Sequence, residues 1–202
     1  MANTIITIGR EFGSGGRELG RRLAEELGYE YYDREILEEI SKRTELSVEY
    51  VHQIIEKRPH SLLPITVGRS MTYVDHHTLR QLAAVYREQT KVIREMAAKS
   101  NCVIVGRCAS YILRSHNPFR IFVHADMDSR VRRCMEHIDT GEKITEKEMR
   151  RHIKSIDKGR AKYFRFYTEK KWGARENYDL CINTTDVVIK DIVPVIAKLF
   201  KD

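Results

Sequence analysis

One stretch near the start restricts what this chain can fold into more than any other. Ile5-Ile6-Thr7-Ile8, a short β-branched run, leads into Gly9-Arg10-Glu11-Phe12-Gly13-Ser14-Gly15-Gly16-Arg17-Glu18. Leu19, Leu23, Ala24 and Leu27 then recur on one helical face, with Arg21, Arg22, Glu25 and Glu26 on the other. Strand, glycine-rich loop and helix in that order predict a phosphate cradle. The glycines let backbone N–H groups turn inward, and the unbonded N–H groups of the first helical turn add partial positive charge.

The loop departs from the G-x-x-x-x-G-K-[ST] pattern of phosphate-binding loops. With Gly15 as the second glycine, Arg10 stands where the first should be. Gly16 replaces the lysine and Arg17 the hydroxyl residue. Arg10 and Arg17 are the nearest cations, and either can reach an anion in place of the lysine. The hydroxyl that normally helps hold Mg2+ has no counterpart.

The rest of the chain alternates strand and helix patterns. Tyr29-Glu30-Tyr31-Tyr32, after a helix-ending Gly28, reads as a second strand, and Ile36, Leu37 and Ile40 begin a helix. Ser47 is a candidate N-cap for a helix with Val48, Val51, Ile54 and Ile55 inward. Arg58 to Asp75 lacks periodicity and reads as a long loop. A long helix from Thr78 to about Ser100 precedes the unbroken apolar run Cys102-Val103-Ile104-Val105, which suits a central parallel strand. Phe119 to Val123 is a fourth strand. Asp128 or Ser129 opens a helix with Val131, Cys134, Met135 and Ile138 on its apolar side. Thr145-Glu146-Lys147-Glu148 is a capping box before a long helix striped by Met149, Ile153 and Ile156, whose far end Tyr163, Phe164, Phe166, Tyr167 and Trp172 anchor. Asp179 to Asn183 is the last strand. The final helix starts near Lys190 or Asp191, which puts Pro194 in its first turn. This alternation argues for one α/β domain, a parallel sheet with helices on both faces and ligands beyond the carboxyl ends of the strands. The loop, Asp33-Arg34 and Gly106-Arg107 all fall at such ends.

Charge narrows the partners. The chain carries a net +7, and between Asp126 and Arg175 there are 15 Lys and Arg against nine Asp and Glu. That segment points to an anionic partner, a polyphosphate or a nucleic acid. No helix-turn-helix, zinc-finger or RNA-stacking motif favours nucleic acid. No apolar run approaches the roughly 20 residues that span a bilayer, and no leader pattern opens the chain. Four dispersed cysteines and eight histidines show no metal-ligand spacing. A cytoplasmic protein with neither membrane nor nucleic-acid partners is the expectation.

Arg10 through Glu18, Tyr31-Tyr32-Asp33, Gly106-Arg107, Trp172-Gly173 and Tyr178 through Asn183 together resemble the cytidylate kinase-like proteins, among the P-loop nucleoside monophosphate kinases. The resemblance implies the three-layer P-loop NTPase fold, with core regions 1–33, 101–138 and 176–202, a helical acceptor-binding insertion over 34–100 and a basic lid over 139–175. It implies transfer of the γ-phosphoryl group of ATP–Mg2+ to CMP, dCMP or a related small acceptor. The alternative is a nucleotide-binding regulatory protein that kept the cradle without turnover.

Phosphoryl transfer needs positioning and cations. Gly13, Ser14, Gly15, Gly16 and Arg17, with Arg10, are assigned to the donor. Arg107, whose fork fits a phosphate, goes to the acceptor beside Asp33 and Arg34. Arg17, Arg107, Lys158, Arg160 and Arg165 are the candidate catalytic cations. Asp33 either hydrogen-bonds the acceptor, holds metal-bound water or caps the next helix; Glu18 is the other possible metal ligand. His76-His77 is a further candidate for touching a base, and Cys108 is either packed or accessible. Flanking Gly106-Arg107, Val105 and Cys108 stand where cytidylate kinases carry acidic residues.

Overall fold

β-Branched and apolar residues make Ile5–Arg10 (β1) a strand that can be buried on both faces, and in the computed structural model it lies at the centre of the sheet. The structure describes residues 3–56, 76–137 and 144–201. β2 (Glu30–Tyr32), β3 (Cys102–Val105), β4 (Phe119–His124) and β5 (Leu180–Asn183) complete an all-parallel sheet in the order β2-β3-β1-β4-β5. Ile8 lies between Val105 and Ile121 in register.

Alternation along β1 divides the core in two. Ile6 and Ile8 pack with Leu19 and Leu23 of α1 (Gly16–Leu27) and with Val193 and Ile196 of α8 (Ile189–Ala197). On the other face, Ile5 and Ile104 pack with α2 (Arg34–Thr44), α3 (Val48–Glu56) and α4 (His76–Lys99). α5 (Ala109–Ile112) and the end of α7 (Glu146–Thr168) join that cluster. Three layers result, as the alternation predicts.

Local signals set most boundaries. Gly28 ends α1 with φ 66° and its N–H reaching back to the Ala24 and Glu25 carbonyls. Ser47 Oγ accepts from Tyr50 N–H (3.2 Å), and the Thr145–Glu148 capping box forms in both directions.

Three expectations are corrected. The helix placed at Asp128 or Ser129, α6 (Met127–Glu136), starts earlier, because Asp126 accepts the Ser129 N–H (2.7 Å) and caps it. Pro194 lies in the second turn of α8, not the first; it sits on the exposed side, where water can serve the carbonyl it leaves without a donor. Phe166, taken as part of the aromatic anchor, is 46% exposed, whereas Tyr163 and Phe164 are buried. The loop expected from Arg58 to Asp75, and Ile138, lie outside the described residues, as do the side chains of His76 and His77.

Candidate active site

The glycine-rich loop joins β1 to α1 and is shaped by what surrounds it. Gly13 and Gly15 both take left-handed backbone, φ 77°; a Cβ on Gly15 would come within 2.6 Å of the Ile189 side chain. Ser14 is fully buried, donating to the Glu11 carbonyl (2.9 Å), while its own carbonyl accepts from Thr184 Oγ1 (2.7 Å). α1 begins at Gly16, so the N–H groups of its first turn have no intrahelical acceptor and form an anion-seeking end.

The front of the loop is tied down. Arg130 of α6, 5% exposed at the side chain, donates Nε to the Phe12 carbonyl (2.7 Å) and Nη1 to Glu11 (3.0 Å), and pairs with Asp157 of α7 through Nη2. Asp157 in turn accepts the Phe12 N–H (2.8 Å). The sequence reading missed Glu11, Arg130 and Asp157. Burial of a cation inside the basic segment was the only signal, and it is a tertiary one.

A second centre lies where β2 and β3 end. Asp33 occupies the N-cap position of α2, yet its side chain makes no capping bond. It pairs instead with Arg17 Nε (2.7 Å), Arg10 Nη2 (3.6 Å) and Arg107 Nη2 (3.8 Å). Arg10, Asp33 and Arg107 are buried, whereas the Arg17 side chain is 68% exposed. Gly106 leaves room for the Arg10 guanidinium: a Cβ there would sit 1.8 Å from Arg10 Nη1. Gln89 Nε2 donates to the Arg107 carbonyl (3.0 Å), fixing a residue whose own φ is 56°.

Arg17 and Arg107 border a cleft of about 930 Å³ between α1 and α2–α3. Arg17, Asp33, Arg34 and Arg107 line it with Glu18, His52 and His137. Burial, then the charge of Asp33, pushes Tyr31 in its wall up to about 12. Of the α7 cations, Arg160 donates to the Arg10 carbonyl (3.3 Å) and lies over the Phe12 ring. Lys158 and Arg165 are exposed and do not line the cleft.

Neither carboxylate named from the sequence suits a metal ion. Asp33 faces three guanidinium groups, and Glu18 pairs with Arg22 (2.7 Å). Among the described residues no group of three or more His, Cys, Asp or Glu side chains is arranged as a metal site. Among the described residues, these ion pairs leave neither Asp33 nor Glu18 placed as a ligand for Mg2+.

The cytidylate kinase-like family model matches residues 5–186, spanning the loop, the Asp33 cluster and the basic helix. The chain belongs to this family. A crystal structure of an uncharacterized protein from Eubacterium ventriosum is similar at 30% identity, with 98% of each chain covered and a TM-score of 0.70. Shikimate kinase from Bacteroides thetaiotaomicron shares the fold at 15% identity (98% of each chain, TM-score 0.58). So does shikimate kinase from Acinetobacter baumannii in complex with shikimate, at 16% identity, covering 99% of this chain and 93% of that one with a TM-score of 0.52. Among curated proteins, none matches. The fold is thus that of P-loop kinases, and this family member carries it with arginines in the loop. Among the described residues, no helix is long and apolar enough to cross a membrane.

Proposed function

We propose that the protein transfers the γ-phosphoryl group of ATP, supplied with Mg2+, to CMP, dCMP or a related small acceptor. The observation that carries this reading is the junction of the glycine-rich loop and α1 N-terminus with a nucleotide-sized cleft floored by Arg107 and Asp33. Loop amides from Gly13 to Arg17 orient the donor phosphates. Arg17, exposed and paired with Asp33, exchanges that carboxylate for a phosphate and supplies the charge of the missing lysine. Arg107 grips the acceptor, with Arg34 at the cleft edge. Lys158, Arg160 and Arg165 belong to a lid over 139–175 that excludes water on closure; residues 34–100 receive the acceptor and the remainder is the core. No step is assigned to a metal ion on the protein. The partners are small nucleotides in a cytoplasmic setting.

One observation favours a second reading, a nucleotide-binding regulatory protein: Arg17, which stands where a phosphate-binding loop carries its hydroxyl residue, is engaged by the buried Asp33. The two are separated by incubating the protein with ATP–Mg2+ and CMP, dCMP, UMP or AMP and resolving the products. Formation of CDP that vanishes in Arg107→Ala supports the kinase. Absence of product with every acceptor, while ATP or CMP raises the Tm, leaves the binding protein.

A further inference from the structure

The turn that ends β3 runs against the preference of its own residues. Gly106 donates its N–H to the Ile8 carbonyl (2.9 Å), and the Gly106 carbonyl accepts the Ala109 N–H (3.0 Å), closing a reverse turn around Arg107 and Cys108. Both central residues take left-handed backbone, φ 56° and 53°, directly after Gly106 at φ 77°. Turns with positive φ at both central positions select Gly, Asn or Asp, because a Cβ crowds the carbonyl that follows it. Neither residue is of that kind. Such backbone persists only where the surrounding structure over-determines it, and it gathers at functional sites.

Gln89 of α4 supplies that constraint. It is fully buried, one helical turn from Val85 on one side and Ile93 on the other, in a stripe where an apolar side chain is the ordinary occupant. A buried amide is unfavourable unless both of its ends are bonded. Both are. Nε2 donates to the Arg107 carbonyl (3.0 Å), and Oε1 accepts the Tyr163 hydroxyl (3.1 Å) from α7. Tyr163 is itself buried, so one amide joins the β3 turn, α4 and α7 out of reach of water. The turn then sends its two side chains apart. Cys108 enters the same apolar cluster as Tyr163, and the Arg107 guanidinium stands 3.8 Å from the Asp33 carboxylate at the cleft.

We propose that Gln89 is a positioning residue for phosphoryl transfer: it holds the 106–109 turn in its left-handed form and so keeps the Arg107 guanidinium at the cleft. The Arg107 carbonyl accepts only from the nitrogen end of the amide, and the Tyr163 hydroxyl takes the oxygen end, so the amide has one orientation. The inference rests on the reading of Arg107 as the group that grips the acceptor. Gln89 touches neither substrate nor reacting atoms. Its bonds run to the β3 turn and α7, not to the glycine-rich loop, so its effect falls on the acceptor and spares the donor.

The test measures turnover of the full chain with ATP–Mg2+ and CMP, dCMP, UMP or AMP, and calorimetric binding of the same nucleotides, below the Tm of each variant. Gln89→Met keeps the length of the side chain and removes both hydrogen bonds. It should lower kcat/KM for the acceptor by about tenfold or more, the scale of a small misplacement of a gripping group, and leave the KM for ATP within about twofold. Tyr163→Phe removes one hydroxyl and should produce a smaller loss of the same kind. Cys108→Gly supplies a residue suited to left-handed backbone, so adding it to Gln89→Met should recover part of the lost turnover. A merely structural role would be worsened by the second cavity. Turnover in Gln89→Met within about twofold of wild type overturns the positioning role and leaves the kinase reading standing. So does a loss shared equally by ATP and acceptor that Cys108→Gly does not relieve. If no nucleotide is phosphorylated, binding decides. CMP affinity lost in both Gln89→Met and Arg107→Ala, with ATP affinity kept, supports the positioning role and sinks only the kinase reading. Equal CMP affinity in wild type and both variants, or no CMP binding by wild type, overturns it.

Discussion

The two ionic centres that flank the phosphate loop are built to opposite specifications. At the front, Arg130 is buried between Glu11 and Asp157 and also bonds the Phe12 carbonyl, so every partner is fixed by α6, α7 or the loop itself. At the cleft, Asp33 is as deeply buried, but its shortest contact is to Arg17, two-thirds in solvent on the first turn of α1. The first centre holds the loop in shape. The second can trade a partner. A closed network gives rigidity and a half-open one gives exchange, and a loop that must grip and release an anion needs both.

Breaking the front centre should cost most. Arg130→Ala strands two carboxylates and a carbonyl and is expected to destabilise by about 3–5 kcal/mol in urea unfolding. A loss below about 1 kcal/mol would erase the contrast with the cleft. Asp33→Asn removes the carboxylate that Arg10, Arg17 and Arg107 share; about 2–3 kcal/mol is expected, along with loss of CDP formation. Gly15→Ala forces both a left-handed alanine and contact with Ile189, for about 1–3 kcal/mol and no ATP-induced rise in Tm.

Arg17→Ala sharpens the comparison from the other side. Its pair is solvent-screened at one end, so stability should change by less than about 1 kcal/mol. Turnover should nevertheless fall at least tenfold, since a charge-assisted bond is at stake. A drop in stability as large as that of Arg130→Ala would make Arg17 a structural cation. The smallest effect is expected at the sheet edge, where Arg120 holds Asp179 across β4 and β5 (2.6 Å). Hydrogen bonding to Arg120 lowers the Asp179 pKa, so this pair contributes stability above the unfolded carboxylate value of about 3.9 and loses it as pH falls through the lower folded value. Arg120→Gln should cost under about 1 kcal/mol at pH 7, and the gap to wild type should close at the acid end of a pH series.

The elements and the loop can be read along the chain. Period-two and period-3.6 patterns, Gly28, Ser47 and the Thr145 capping box are local signals, and each marks its boundary within a residue or so. Where a nearer competitor existed the boundary moved, as when Asp126 rather than Asp128 or Ser129 opened α6. Arg17, Asp33 and Arg107 were legible as candidates because strand ends and loops are where ligands meet such sheets. Which charge pairs with which was settled by packing in space. Asp33 could equally have been a cap or a metal ligand; it became a counter-ion because β1, β2 and β3 lie side by side and bring Arg10 and Arg107 to it. Asp157, on an α7 face that reads as solvated, reached the Phe12 amide across 145 residues of chain. Ion pairs between distant segments leave no periodic trace in sequence, since their partners are chosen by proximity in space after the backbone has been laid down.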